Sequence, residues 1–218
     1  MPQESQKGFT LIELILVITL MALLGTAALV SYFSTTRTFQ LLSDQQYISS
    51  GFRMARSNAI YKSTAKNTSG TYTPERFGIL IDKNITTNDI KFTSFADTGL
   101  TPFKYDVGSG TPSENDIDYP EKTFTLKSTD YIFKIFGSKT GVEITSFPVY
   151  FFYDRGTGDM AAYHFNTTTG KLDLIPKTDD NYRYLAIQIK QNRTTGLQKN
   201  IVINQISGLP EELETLPN

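Results

Sequence analysis

The sequence of 218 residues contains no cysteine and a single histidine, His164. Without cysteine the chain has no disulfide framework and no thiolate ligand for a metal ion. Without a second histidine it also lacks the donors of a transition-metal site, so we interpret His164 as a packed or surface side chain. The 21 basic and 22 acidic residues nearly cancel. The chain as a whole therefore has no electrostatic field that would attract nucleic acid or an anionic membrane.

Charge is especially scarce near the N-terminus. The 22 residues from Phe9 to Val30 include one charged side chain, that of Glu13. A helix of this length rises about 33 Å, which is enough to cross a bilayer. In a conventional secretory signal the small residues of the cleavage site follow the apolar core. Here a small residue, Gly8, precedes the apolar stretch. Cleavage after Gly8 would remove residues 1–8 as a leader and leave the hydrophobic helix in place. An uncleaved single-span anchor is the alternative.

Glu13 is an unfavourable residue for a simple anchor. A charged side chain at the centre of a membrane-spanning helix costs about 2.5–3.5 kcal/mol, and less near the helix end. If the chain begins at Phe9, its α-amine lies one helical turn from Glu13, and it can equally pair with Glu13 of a neighbouring chain. We therefore interpret Glu13 as a charge that is retained for pairing between subunits.

The residues KGFTLIEL, from Lys7 to Leu14, resemble without a gap the class III leader and N-terminal helix of type IV pilins and of type II secretion pseudopilins. The resemblance implies that a prepilin peptidase cuts between Gly8 and Phe9 and N-methylates Phe9. It also implies that Glu13 guides docking into a growing filament. The expected partners are other pilin or pseudopilin subunits and an assembly platform in the membrane.

After Val30 no proline occurs before Pro74, and an amphipathic continuation of the helix is predicted over residues 31–63. Two small residues on its apolar face, one turn apart, are expected to let a sheet pack closely against the helix. These two residues are Ala55 and Ala59, and the apolar face also includes Leu41, Ile48 and Phe52.

Residues 55–60, with the sequence ARSNAI, are similar to an Ala-Arg-Ser-x-Ala-Ile segment of the H-type minor pseudopilins and FimT-like minor pilins. In that family the segment also lies near the end of the long helix. The whole resemblance covers residues 6 to about 62 and fades through the rest of the chain. It favours a minor subunit over the major one.

Residues 70–218 are expected to form a β-rich globular head. Short segments rich in β-branched and aromatic residues alternate with turn signals, among them DRGTGD, which we interpret as a hairpin turn rather than a calcium loop. The C-terminal GLPEELETLPN is predicted to be a polar tail. The predicted fold class is α+β, with the long helix packed on an antiparallel β-sandwich. The predicted strands are 77–82, 90–95, 123–127, 131–136, 147–154, 161–166, 171–175, 184–191 and 200–206.

The head contains no catalytic motif, and we expect no cofactor. Its sequence does suggest two binding hypotheses. The first is a calcium site in a long acidic loop, with a solvated loop as the default interpretation. The second is DNA binding by a basic hairpin with interleaved tyrosines, against an ordinary solvated hairpin. The acidic residues are Glu114, Asp116, Asp118 and Glu121, and the basic ones are Arg183, Lys190, Arg193 and Lys199.

The sequence therefore predicts a non-enzymatic, single-pass protein of the inner membrane with its head outside the cytoplasm. It would later enter a pseudopilus or pilus in the periplasm or at the cell surface, as a minor pseudopilin or minor pilin. The alternatives are a DNA-uptake minor pilin, a major pilin, and a membrane-anchored β-sandwich that binds a carbohydrate or a protein.

The proposed junction can be tested by replacing its small residue. Gly8→Glu is expected to block cleavage, because the resemblance implies that the peptidase requires a small residue before the cut. Intact-mass measurement on the membrane fraction should then find the full leader on the variant chain. Recovery of variant protein that begins at Phe9 would show that the junction has been misplaced.

Overall fold

The computed structural model describes residues 10–62, 64–67, 70–74, 76–97, 118–137, 141–166, 168, 171–176, 183–192 and 196–213. For residues 65–67, 70–72, 118–121 and 171 only the backbone is described. Gly8 and Phe9 therefore lie outside the described residues, as do Glu114, Asp116 and Arg193.

Among the described residues there is one helix, α1, which runs from Leu11 to Tyr61. It contains no proline, so no residue interrupts its backbone hydrogen-bond ladder. The chain divides into two compact units after Gln40. In the first unit every described side chain, from Thr10 to Gln40, is exposed. In the second unit one face of the helix is buried from Leu41 onward.

Every strand pair in the part of the chain that the structure describes is antiparallel, and the predicted α+β class is confirmed. The larger sheet has the order β5-β4-β3-β7-β8-β9, the smaller one has the order β12-β11-β10-β6, and β1 pairs with β2. The strands are β1 Ala65–Asn67, β2 Gly70–Tyr72, β3 Arg76–Lys83, β4 Ile90–Asp97, β5 Asp118–Leu126, β6 Tyr131–Gly137, β7 Val149–Asp154, β8 Met160–Asn166, β9 Lys171–Ile175, β10 Tyr184–Gln191, β11 Gln198–Asn204 and β12 Pro210–Leu213.

The predicted polar tail is partly wrong, because Pro210–Leu213 pairs with β11 as an edge strand. Two glutamates and a proline gave this segment no strand signal. Proline is tolerated on an edge strand, where one side of the backbone has no neighbouring strand. Pro120 similarly lies on the edge strand β5. Position within the sheet has overridden local preference at both sites.

One hydrophobic core is shared by the second part of α1 and the inner faces of both sheets. Phe52 of the helix is fully buried and meets Phe151 of β7 edge-to-face, with ring centroids 5.0 Å apart. Ala55 and Ala59 are buried in the same core. A polar contact accompanies this packing, since Gln45 donates a hydrogen bond from Nε2 to the backbone oxygen of Asn200 at 2.9 Å.

Three hairpins of the head use the same six-residue turn. In each, the first backbone N–H donates to the sixth carbonyl, and the fifth N–H donates to the first carbonyl. The fourth residue is Thr or Ser, whose hydroxyl accepts the sixth N–H, and the fifth has a positive φ. The chain therefore encodes these turns locally as Asn/Asp-x-x-Ser/Thr-Gly/Asn-x. They are Asn84–Asp89, Asp154–Asp159 and Asn204–Leu209.

The turn Asp154–Asp159 confirms the interpretation of DRGTGD as a hairpin, and it also contacts the end of α1. Gly156 donates its N–H to the backbone oxygen of Ala59 at 2.8 Å and so satisfies a carbonyl of the last helical turn. Gly158 has φ +69°, and a Cβ there would lie 2.9 Å from the Ile60 side chain. Only glycine satisfies both the conformation and the close approach.

Core packing by α1 predicts a large stability cost for Phe52→Ala. Removal of this ring should lower the free energy of unfolding by about 3–5 kcal/mol, because it leaves a cavity beside Phe151. The measurement is urea unfolding of the full chain in detergent, with tyrosine fluorescence as the signal that reports unfolding. Phe39→Ala is the matched control on the same helix, where the ring is 65% exposed and little change is expected. Equal effects of the two variants would contradict the packing described.

Candidate functional site

The first turn of α1 is closed by a reciprocal pair, Thr10 and Glu13. The Thr10 N–H and the Thr10 hydroxyl each donate to Glu13 Oε2 at 2.9 Å. In return the Glu13 N–H donates to Thr10 Oγ1 at 3.3 Å. This arrangement is a capping box, in which two backbone donors without partners in the helix are satisfied by side chains.

Sequence reasoning missed the partner of Glu13 that the structure contains. It assigned the carboxylate to the amine of Phe9, which lies outside the described residues. The signal for the other partner was nonetheless present, because Thr10-x-x-Glu13 fits the Ser/Thr-x-x-Glu pattern that begins helices. Glu13 therefore has a role within its own chain as well as the pairing role that its charge predicts.

The capping box does not use the whole carboxylate. Both donated bonds reach Oε2, and among the residues that the structure describes Oε1 of Glu13 accepts no hydrogen bond. An ionised carboxylate offers two oxygens with about four acceptor positions in total. Glu13 can therefore keep its cap on Thr10 and still accept a bond from an external cation.

The rest of this helical segment has the character of a membrane span. Its most apolar stretch of 18 residues has a mean hydropathy of 2.5, and none of that stretch is buried. Thr19 and Thr26 satisfy their hydroxyls on the backbone oxygens of Ile15 and Leu23, each at 2.8 Å. The threonines therefore expose little unsatisfied polarity to a surrounding apolar phase. Such a long apolar surface needs lipid or other helices around it.

The basic hairpin does not present its described cations as one patch. Lys199 pairs with Ile189, which is buried in the core, and so lies on the core side of the sheet. Lys190 is adjacent to Ile189 and has the opposite orientation, because side chains alternate along a strand. Arg183 precedes β10 and lies about 23 Å from Lys190 along the strand. Arg193 lies outside the described residues.

The structure describes only part of the acidic loop that was considered for calcium. Glu114 and Asp116 lie outside the described residues, and only the backbone of Asp118 and Glu121 is described. Within the part of the chain that the structure describes, no three carboxylate or imidazole side chains are close enough to hold a metal ion. His164 lies on β8 and lines a cavity of about 200 Å³ together with Glu143 and Ser146.

Comparison with known protein families gives one match. Residues 5–29 fit the family described as the prokaryotic N-terminal methylation motif. The match contains Gly8, Phe9, Thr10 and Glu13. No curated protein and no solved structure matches the chain significantly. The motif indicates a type IV pilin-like chain that is processed as a prepilin, and together with the apolar helix it indicates membrane anchoring.

The capping box predicts a specific effect of Thr10→Val. This variant keeps the shape of residue 10 but removes the hydroxyl, and it should cost about 1 kcal/mol in the first helical turn. Amide hydrogen exchange on the mature chain in micelles should accelerate about fivefold at residues 11–14. Thr10→Ser should restore the protection. Thr19→Val removes a hydroxyl that bonds only the backbone oxygen of Ile15, so exchange in the first turn should be unchanged. Unchanged exchange in Thr10→Val would refute the cap.

Proposed function

We propose that this chain is a structural subunit of a pilin-like filament, as a minor pseudopilin or minor pilin. The observation that carries the proposal is the methylation motif at residues 5–29, which includes the start of α1 and an apolar stretch of that helix whose side chains are all exposed. A secretory signal would be removed together with its apolar core. Here the proposed cut after Gly8 precedes the apolar core, so the mature chain retains the helix.

Maturation would occur at the membrane. A prepilin peptidase cuts between Gly8 and Phe9 and methylates the new amine of Phe9. The chain then spans the inner membrane once, with its head outside the cytoplasm. The eight-residue leader carries Lys7 and Glu4, and both leave with the cut. Glu13 then remains as the single charged side chain up to Val30.

Assembly would replace lipid around α1 with the helices of other subunits. Because lipid tails and leucine-rich helices are similarly apolar, this exchange exposes little apolar surface to water. Oε1 of Glu13 can accept the amine of Phe9 from a neighbouring chain while Oε2 stays bonded to Thr10. Away from water such a charge pair is much stronger than at a protein surface. An assembly platform would draw the subunit into the filament.

The choice of a minor subunit depends on the ARSNAI segment alone. Ala55 and Ala59 of this segment are buried against the head, and Ile60 contacts the turn at Gly158. These contacts give the segment an ordinary packing role, so its support for a minor subunit comes from the resemblance. The separation of Lys190 from Lys199 removes the observation that favoured DNA binding, and we do not propose it.

The charge of Glu13 can be separated from its cap by two substitutions. Glu13→Gln keeps an acceptor for the Thr10 N–H but lacks the charge, whereas Thr10→Val weakens the cap and keeps the charge. We expect Glu13→Gln to insert and mature normally. Its amount in the filaments should be about tenfold lower, because one charge-assisted bond between subunits is lost. Thr10→Val should assemble nearly as the parent chain does.

The measurement is quantitative mass spectrometry on filaments sheared from the cell surface and on the membrane fraction. The expected parent result is a chain that begins at N-methylated Phe9 and is present at trace level in the filaments. A chain that dominates the filaments would be the major subunit. Normal assembly of Glu13→Gln would refute the pairing role, and a chain that retains residues 1–8 would refute the proposed class.

A further inference from the structure

The turn Asn84–Asp89 exposes an apolar side chain that the core does not use. Ile85 is 96% exposed, more than any other large hydrophobic residue that the structure describes. The turn is fixed before any contact forms, because Thr86 and Thr87 both donate their N–H groups to Asn84 Oδ1. Ile85 therefore projects into solvent from an ordered support.

This turn lies far from the C-terminal end of α1. At that end Gly156 donates its N–H to the backbone oxygen of Ala59. Asp154, in the same turn as Gly156, pairs with Arg76 at the start of β3. From there β3 runs about 23 Å to Lys83, which directly precedes the turn that carries Ile85.

Contacts between neighbouring turns place Ile85 at the end of the head where α1 enters. The Ser128 N–H donates to the Asp89 carboxylate at 2.8 Å, which joins this turn to the start of β6. Tyr131, the first residue of β6, donates its hydroxyl to the carboxylate of Asp44 on α1. Asp44 comes three residues after Leu41, where burial of the helix begins. The chain therefore joins this end of the head to the apolar segment.

The connecting residues are few enough to keep this end of the head close to a bilayer. Tyr32 and Phe33 follow the apolar stretch directly, and aromatic side chains of this kind favour the interface between lipid and water. From Phe33 to Leu41 a helix rises about 12 Å. The headgroup layer accounts for about 5–8 Å of that rise. Only a few ångströms of chain then separate the headgroups from the start of the head.

The charges near this end balance, so electrostatics favours neither an anionic surface nor a charged protein partner. Lys127 pairs with Asp89 at 3.2 Å. A contact with lipid therefore has to depend on the apolar side chain. The described charged residues near this end are Lys83, Lys91, Lys127 and Lys190, and Asp44, Asp82, Asp89 and Asp130.

We propose that the turn Asn84–Asp89 rests on the bilayer that anchors the chain, with Ile85 inserted between the lipid headgroups. The inference rests on the proposed function, because only a subunit anchored by α1 keeps its head at the membrane. Burial of an aliphatic side chain away from water is favourable, and the anchor makes the contact intramolecular. A single inserted side chain is also weak enough to be released when the subunit enters a filament.

The absence of tryptophan allows this contact to be measured without background fluorescence. Full chains with one tryptophan each are reconstituted into phosphatidylcholine vesicles, with and without lipids brominated near the headgroup, which quench tryptophan on contact. Ile85→Trp should be quenched about fivefold more than Ile206→Trp. Ile206 is the matched control, since it is 54% exposed in the turn Asn204–Leu209, which has the same form. That turn lies at the other end of the head, where Gly208 accepts the Tyr153 hydroxyl.

A second reporter separates the effect of Ile85 from that of the probe, because tryptophan itself favours the interface. Thr86→Trp is measured with Ile85 in place and again together with Ile85→Ser. The second substitution should lower the quenching at least about twofold, because it removes the inserted side chain. The fold should be unaffected, since Ile85 is exposed.

Each result decides the proposal. Stronger quenching at position 85 than at position 206, together with the loss caused by Ile85→Ser, would support it. Equal quenching at positions 85 and 206, or no effect of Ile85→Ser, would overturn it. Quenching that requires added anionic phosphatidylglycerol would also overturn it, because charge would then drive the contact. Leu24→Trp, within the apolar stretch, reports separately on the proposed membrane anchoring: if it is quenched, a negative result at position 85 concerns the Ile85 contact alone, and if it is not, the proposed anchoring and this inference fail together.

Discussion

The structure depends on one helix that carries two apolar surfaces, each of which has to be kept from water by different surroundings. In the described residues up to Gln40 every side chain of α1 is exposed, and most of them up to Val30 are apolar. From Leu41 onward one face of the same helix is buried in the core of the head. The first part therefore requires lipid or other helices, whereas the second part has its partners within the chain. A soluble monomer would leave the first requirement unmet, and this links the fold to membrane anchoring.

Glu13 caps its own helix and keeps one carboxylate oxygen for the pairing between subunits that we propose. In an apolar phase an unsatisfied N–H group costs several kcal/mol, so the start of a helix in a membrane needs a local acceptor. Oε2 of Glu13 supplies it to Thr10. A glutamine could do the same without the burden of a charge, and the chain nevertheless contains glutamate. The unused Oε1 gives a physical reason for this choice, since only a carboxylate binds an amine strongly.

The head carries the information that the N-terminal motif lacks. Secretion, adhesion and DNA uptake share the same helix and processing chemistry, so the motif identifies a type of chain and not its use. Within the head, most side chains have evident packing roles, and Phe52, Phe151 and Tyr153 fix the helix and the strands into one core. Ile85 is an exception, because its side chain is 96% exposed and does not contribute to the core of the single chain. Exceptions of this kind are expected where a surface serves recognition.

Local chemistry by itself determined the helix, its buried face, the strand segments and the hairpin turns. The spacing of Leu41, Ile48 and Phe52 needs only the helical period, and turns such as Asp154–Asp159 need only their own side chains. Tertiary structure alone decided that β3 pairs with β7, that Pro210–Leu213 is a strand, and that Lys190 and Lys199 lie on opposite faces of their sheet. These outcomes depend on contacts between residues far apart in the chain. Such contacts are selected by the shape and burial of the whole core, which no short segment encodes.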